Sequence, residues 1–171
     1  KGAEFLIEQA LRHKEDGYDL LKFRSGTSWK QAGMTLDKYI PILRKLREAV
    51  GPVFKLVHES MGGTGVTQEQ ILKEFCPVLE GLKFTWFEEA PGGTEIKDID
   101  FFIRMQQALP TVRVSGGERF RDRFEAQVWL DRGALDIVQS DSNVAGITEN
   151  WYIARMAHVR GKTLIPHNWH G

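Results

Sequence analysis

Short apolar runs alternate with stretches of helical period along the whole chain. Six runs have the length and the β-branched or aromatic content of strands. Tyr18-Asp19-Leu20-Leu21 leads into Lys22-Phe23-Arg24, and Val53-Phe54-Lys55-Leu56-Val57 into His58 and Glu59. Phe84-Thr85-Trp86-Phe87 runs into Glu88-Glu89-Ala90-Pro91, and Val112-Arg113-Val114-Ser115-Gly116-Gly117 into Glu118. Asp136-Ile137-Val138-Gln139-Ser140 ends in Asp141, and Thr163-Leu164-Ile165-Pro166 in His167. Between them lie helical patterns. Residues 4–15 carry Phe5, Leu6, Ala10 and Leu11, and Gly17 stops them. Thr35 is placed to cap a helix with Ile40, Leu43, Leu46, Ala49 and Val50. Pro41 lies inside that pattern, so the helix kinks there or starts there. Thr67 and Gln70 form a capping box for a helix from Gln68 that Pro77 should kink or end. Three further helices are predicted through Ile99 to Met105, near residues 122–132, and over 147–159.

Each strand-plus-helix unit is close to the roughly 30 residues of a βαβ motif. Strands apolar on both faces imply a parallel sheet covered by helices. Polar groups at the carboxyl end of every strand favour a (β/α)8 TIM-type barrel, whose active site lies on that face. A doubly wound sheet is the alternative, but its ligand groups gather at one switch point. A whole barrel takes about 250 residues. With six legible strands the barrel is expected to be incomplete, lacking its last strands, as one domain over residues 1–171. Open edges are an association hazard. We therefore expect further segments, a neighbouring chain or a homo-oligomer to cover them.

Composition narrows the partners. Of 171 residues, 42% are hydrophobic, and 23 Lys plus Arg balance 23 Asp plus Glu. No basic stripe points to nucleic acid. No apolar run is long enough for a membrane span and no signal peptide is evident, so the default setting is cytoplasmic. The single Cys76 lies in a helical apolar pattern beside Phe75 and reads as a reduced core residue.

The chemistry is concentrated at the strand ends. Side chains alternate along a strand, so Glu88 and Glu89 cannot both face the interior. A buried carboxylate needs a cation or hydrogen-bond donors. Asp141 and His167 end neighbouring strands, within reach of each other. An imidazole has an ordinary pKa of about 6.5, and a carboxylate on one ring nitrogen fixes its tautomer, the logic of a His–Asp base. Asn168 and His170 are nearby alternatives. Arg24 stays protonated and cannot be a base, but it can clamp a carboxylate, while Lys22 adds positive charge. The loop Met61-Gly62-Gly63-Thr64-Gly65 also admits a phosphate cradle at a helix start.

Taken in order, Lys-x-Arg, Trp-Phe-Glu-Glu-Ala-Pro, Gly-Gly-Glu, Asp-Ile-Val-Gln-x-Asp with Gly-Ile-Thr-Glu, and Pro-His resemble the barrel domain of the enolase superfamily. The closest pattern is that of the mandelate racemase and muconate lactonizing enzyme type, with its acid-sugar dehydratases. The resemblance implies metal-assisted removal of the proton alpha to a carboxylate, with Mg2+ held by one acidic residue on each of three consecutive strands. It makes Glu88 and Glu118 the second and third ligands, and His167 with Asp141 a dyad. Where the first metal carboxylate is expected, the sequence has His58, followed by Glu59. Imidazole suits Mn2+ or Zn2+ better than Mg2+. Either His58 is a ligand, or Glu59 is recruited, or the metal is held poorly. The implied activity is a carbon–oxygen lyase acting on an acid-sugar carboxylate. A racemase or epimerase of a 2-hydroxy acid and a catalytically silent homologue remain open.

Overall fold

The computed structural model describes residues 3–25, 29–90 and 98–168. Pro91, the Gly92-Gly93 loop and His170 lie outside them. Six strands form one parallel sheet in the order β1-β2-β3-β4-β5-β6. They are β1 (Leu20–Arg24), β2 (Lys55–Glu59), β3 (Trp86–Glu88), β4 (Arg113–Gly116), β5 (Ile137–Val138) and β6 (Thr163–Leu164). Each strand neighbours the next in sequence, so there is no point at which the winding reverses. That excludes the doubly wound alternative, which needs a switch point. The fold is of the barrel type, with six of its strands formed by the described residues.

The helices are α1 (Ala3–Glu15), α2 (Leu36–Val50), α3 (Gln68–Gln70), α4 (Cys76–Gly81), α5 (Ile99–Ala108), α6 (Arg123–Asp131), α7 (Ser142–Ala145) and α8 (Ile147–His158). The apolar stripe of α2 buries Leu36, Tyr39, Leu43, Leu46 and Val50, a helical spacing that faces the sheet. Fully burying a side chain such as Leu43 or Leu46 contributes about 1.5–3 kcal/mol. Phe102 of α5 and Trp129 of α6 meet edge to face at 5.0 Å, joining successive units of the core. No described helix is long and apolar enough to cross a membrane.

The two prolines are accommodated differently. Helix α2 starts at Leu36 and runs through Pro41, so the expectation that it begins at Pro41 is corrected. At Pro77 the chain forms a π turn, Ile71–Phe75, before α4 begins. Cys76 N donates to Ile71 O, a five-residue spacing that widens the turn just ahead of the proline ring. The predicted Thr67–Gln70 capping box is present in both directions. Cys76 is fully buried, and burial pushes its thiol up to about 12, so it is a core residue.

Candidate active site at the carboxyl ends of the strands

Strand register sorts the side chains into two faces. Arg24 is level with Glu59, Glu59 with Glu88, and Glu88 with Ser115. Lys22, two residues before Arg24, shares this face. Lys22 Nζ donates to Glu88 Oε1 at 2.6 Å and stands 3.5 Å from Glu59 Oε2. Arg24 pairs with the other oxygen of Glu59. Trp86 Nε1 donates to Glu88 Oε2 at 3.0 Å, and Gln139 adds a further hydrogen bond. Burial pushes the Glu88 carboxyl up, but these hydrogen bonds and the charge of Lys22 outweigh it and hold it below the ordinary value.

A second group lies across β4 to β6. The strands β5 and β6 extend through a bridge between Asp141 and His167. His167 Nδ1 is 2.7 Å from Asp141 Oδ2, and Nε2 is 3.3 Å from Glu118 Oε2. Asp141 Oδ1 accepts from Asn143 N at 2.6 Å, which fixes the carboxylate on the turn into α7. Burial raises the Asp141 carboxyl, yet the His167 and Asn143 hydrogen bonds bring it below its usual value. The predicted Asp141–His167 contact is thus present.

His58 is not at this site. It is level with Phe23 and Phe87, whose side chains face the helices. Its ring sits among Phe23, Tyr39, Phe75 and Phe87 at centroid distances of 5.0–5.8 Å. Nε2 lies 2.9 Å from Tyr39 Oη. The expectation of His58 as a metal ligand beside Glu88 is therefore corrected. A shift of one residue along a strand reverses the face, and Glu59 takes the inward position. Burial lowers the His58 pKa to about 3. An unfolded histidine takes up its proton near 6.5, so between about pH 6.5 and 3 protonation favours the unfolded chain. We expect stability to fall with falling pH there, by up to about 1.4 kcal/mol per pH unit from this residue. Urea unfolding at pH 7, 6 and 5 should show a slope that His58→Met reduces. An unaltered slope would show that His58 is not the group responsible.

The residues fit a hard divalent cation in donor type. Glu59, Glu88 and Glu118 are oxygen donors at the ends of three consecutive strands, and the first two already flank one cation, the Lys22 ammonium. With His58 turned away, the nitrogen donor that suggested Mn2+ or Zn2+ is removed. The expected convergence of Glu88, Glu118 and His58 is not formed. Among the described residues no three His, Cys, Asp or Glu side chains are grouped to hold a metal. Glu88 is committed to Lys22, and Glu118 to His167 and, at 3.7 Å, Arg119.

Several residues at the site carry no role in the sequence reading. Trp86 and Gln139 precede Glu88 and Asp141 by two, the spacing that places them on the same face. Glu89 adopts a left-handed φ of 48°, which costs about 1–3 kcal/mol in a residue other than glycine. Ser60, which follows Glu59, does the same with a φ of 47°. Both stay bonded to the next strand, Ser60 N to Glu88 O and Glu89 N to Ser115 O. Strands β2 and β3 therefore leave the sheet through the same strained turn immediately after an inward carboxylate. In the glycine loop Gly62 N donates to Ser60 Oγ and Thr64 N to Met61 O, so these two amides are turned onto the chain itself and not toward a phosphate.

The chain is similar to known proteins in sequence and in fold. Over residues 6–171 the sequence matches the family described as enolase C-terminal domain-like. It is 31% identical over 138 residues to the D-galactarolactone cycloisomerase of Agrobacterium fabrum, covering 80% of this chain and 35% of that protein. It is 31% identical over 160 residues to the arabinonate dehydratase of Saccharolobus solfataricus, covering 93% and 41%. The fold superimposes on the 3,6-anhydro-D-galactonate cycloisomerase of Zobellia galactanivorans with a TM-score of 0.82 and 27% identity, covering 98% of this chain and 44% of that one. The chain thus spans less than half the length of the relatives it matches. With its six-stranded parallel sheet and a match that runs from residue 6 to residue 171, the chain belongs to the enolase C-terminal domain-like family.

Proposed function

We propose that this chain forms the catalytic face of a lyase that dehydrates an acid sugar. The observation that carries the reading is His167, oriented by Asp141 and set beside Glu118, on the same strand ends as the Lys22–Glu59–Glu88 cluster. Glu59, Glu88 and Glu118 are the residues that would hold a divalent ion, Mg2+ by donor chemistry. When bound, that ion supplies Lewis-acid stabilisation of the charge that develops on the substrate carboxylate.

The rest is the work of the chain's own side chains. Asp141 accepts the Nδ1 proton of neutral His167, which leaves a lone pair on Nε2. Nε2 takes the proton alpha to the carboxylate, and the imidazolium returns it to the hydroxyl leaving from the beta carbon. One C–H and one C–O bond break, water departs, and the enol that remains tautomerises to a 2-keto acid. Lys22 and Arg24 contribute fixed positive charge where negative charge grows. Racemisation would need a second base on the opposite face of the substrate. Arg24 stays protonated and Lys22 is engaged by Glu88 at 2.6 Å, which favours dehydration over racemisation.

The test is direct. The purified protein, supplied with Mg2+, is incubated with a panel of acid sugars and assayed for 2-keto acid. We expect product from at least one member of the panel, lost on chelation and regained on adding Mg2+. A metal-supplied protein inert toward every member, with no exchange of the alpha proton, would support a catalytically silent homologue instead.

A further inference from the structure

Glu89 has a buried carboxylate that the proposed chemistry leaves without a task. Its neighbour Glu88 faces Lys22, while the left-handed turn at Glu89 sends its own carboxylate across to the end of β4. There Oε1 accepts from Gly117 N at 2.5 Å and from Glu118 N at 3.3 Å. Two successive amides converging on one oxygen form a small anion-binding nest built within the chain. The other side of the same turn is closed by Phe120. Gly117 has a φ of 105°, and a Cβ there would stand 2.6 Å from the Phe120 ring. The turn is therefore clamped between an aromatic ring and a carboxylate, and the residue it delivers is Glu118, whose Oε2 meets His167.

We infer that Glu89 is a positioning residue: by accepting the amides of Gly117 and Glu118 it sets where the Glu118 carboxylate stands at the strand ends. The inference rests on the proposed role of Glu118 as a metal ligand. Glu89 acts as a hydrogen-bond acceptor with a fixed reach, and its charge at the site is not the requirement. This separates three variants. Glu89→Gln keeps an oxygen at the same distance, Glu89→Asp keeps the charge but withdraws it by one methylene, and Glu89→Ala removes both.

The experiment uses two readouts. In metal-free protein, the 15N shifts of the His167 ring report the Glu118 carboxylate beside it. Mn2+ titration then reports the ligand set, where loss of an orienting partner weakens binding by about ten- to a hundredfold. We expect Glu89→Asp and Glu89→Ala to move the His167 ring signals and weaken Mn2+ binding by that factor, with Glu89→Gln close to wild type in both. If Glu89→Ala does not fold, Glu89→Asp carries the comparison with Glu89→Gln. Wild-type ring signals and Mn2+ affinity in Glu89→Asp would overturn the inference, as would equal losses in Glu89→Asp and Glu89→Gln. Glu118→Gln is the control for the underlying reading. If it binds Mn2+ as tightly as wild type, Glu118 is not a ligand, and the ring signals alone then decide whether Glu89 positions it.

Discussion

Glu88→Gln is expected to lower turnover at least about a thousandfold, close to 4 kcal/mol of transition-state stabilisation, while the protein remains folded. The side chain keeps its shape, so the end of β3 has no steric reason to move, but its single amide oxygen can accept from Lys22 or from Trp86 and no longer from both. What it loses is one of the negative charges proposed to hold the cation. Orphaning a buried charge costs about 3–5 kcal/mol. Here Lys22 is partly exposed and retains Glu59 at 3.5 Å, so the loss of stability should be well below that range. Unfolding curves and turnover measured on the same preparation check both parts. Turnover within about tenfold of wild type would remove Glu88 from the ligand set. If turnover fell only in step with folded fraction, Glu88 would be structural.

How much of this was legible beforehand depends on the scale of the signal. Six strands and their shared polar ends rest on residue period and on the repetition of one device, and both survive in the structure. The Asp141–His167 pair was accessible because consecutive parallel strands place their ends side by side. The choice between His58 and Glu59 was not, because position counted from a motif is uncertain by one residue and one residue reverses the face of a strand. The apolar run Leu56-Val57 gives no alternation by which to set that phase. Only the cage of Phe23, Tyr39, Phe75 and Phe87, supplied by four separate segments, decides that His58 is a core residue. Glu89 was hidden for a different reason. Its direction comes from a left-handed backbone, which strand alternation does not encode, and its partners are two amides on a neighbouring loop. Sequence shows the carboxylate but not the donors it meets. The π turn ahead of Pro77 is similar: the proline marks a break in helix bonding, and the route around it emerges from packing of Ile71 and Phe75 in the core.

His167→Asn should abolish exchange of the substrate alpha proton with deuterated solvent, a loss of about 10²- to 10⁴-fold, the range for one general base. Asparagine can keep a hydrogen bond to Asp141, so the ends of β5 and β6 should stay joined, but it has no nitrogen able to take a proton near neutrality. Metal should still bind, because the proposed ligands are Glu59, Glu88 and Glu118. Asp141→Asn offers a graded comparison: the imidazole remains while its tautomer is no longer fixed, and exchange should fall without the site losing its metal. The measurement is deuterium incorporation at the alpha carbon, by NMR, in protein checked for bound divalent ion. Exchange lost in His167→Asn with metal retained assigns the base. If exchange is unchanged, the proton is removed by another group. His170, the other imidazole close by in the sequence, is then the next residue to vary, since the Lys22 ammonium, held by Glu59 and Glu88, has no lone pair to accept a proton.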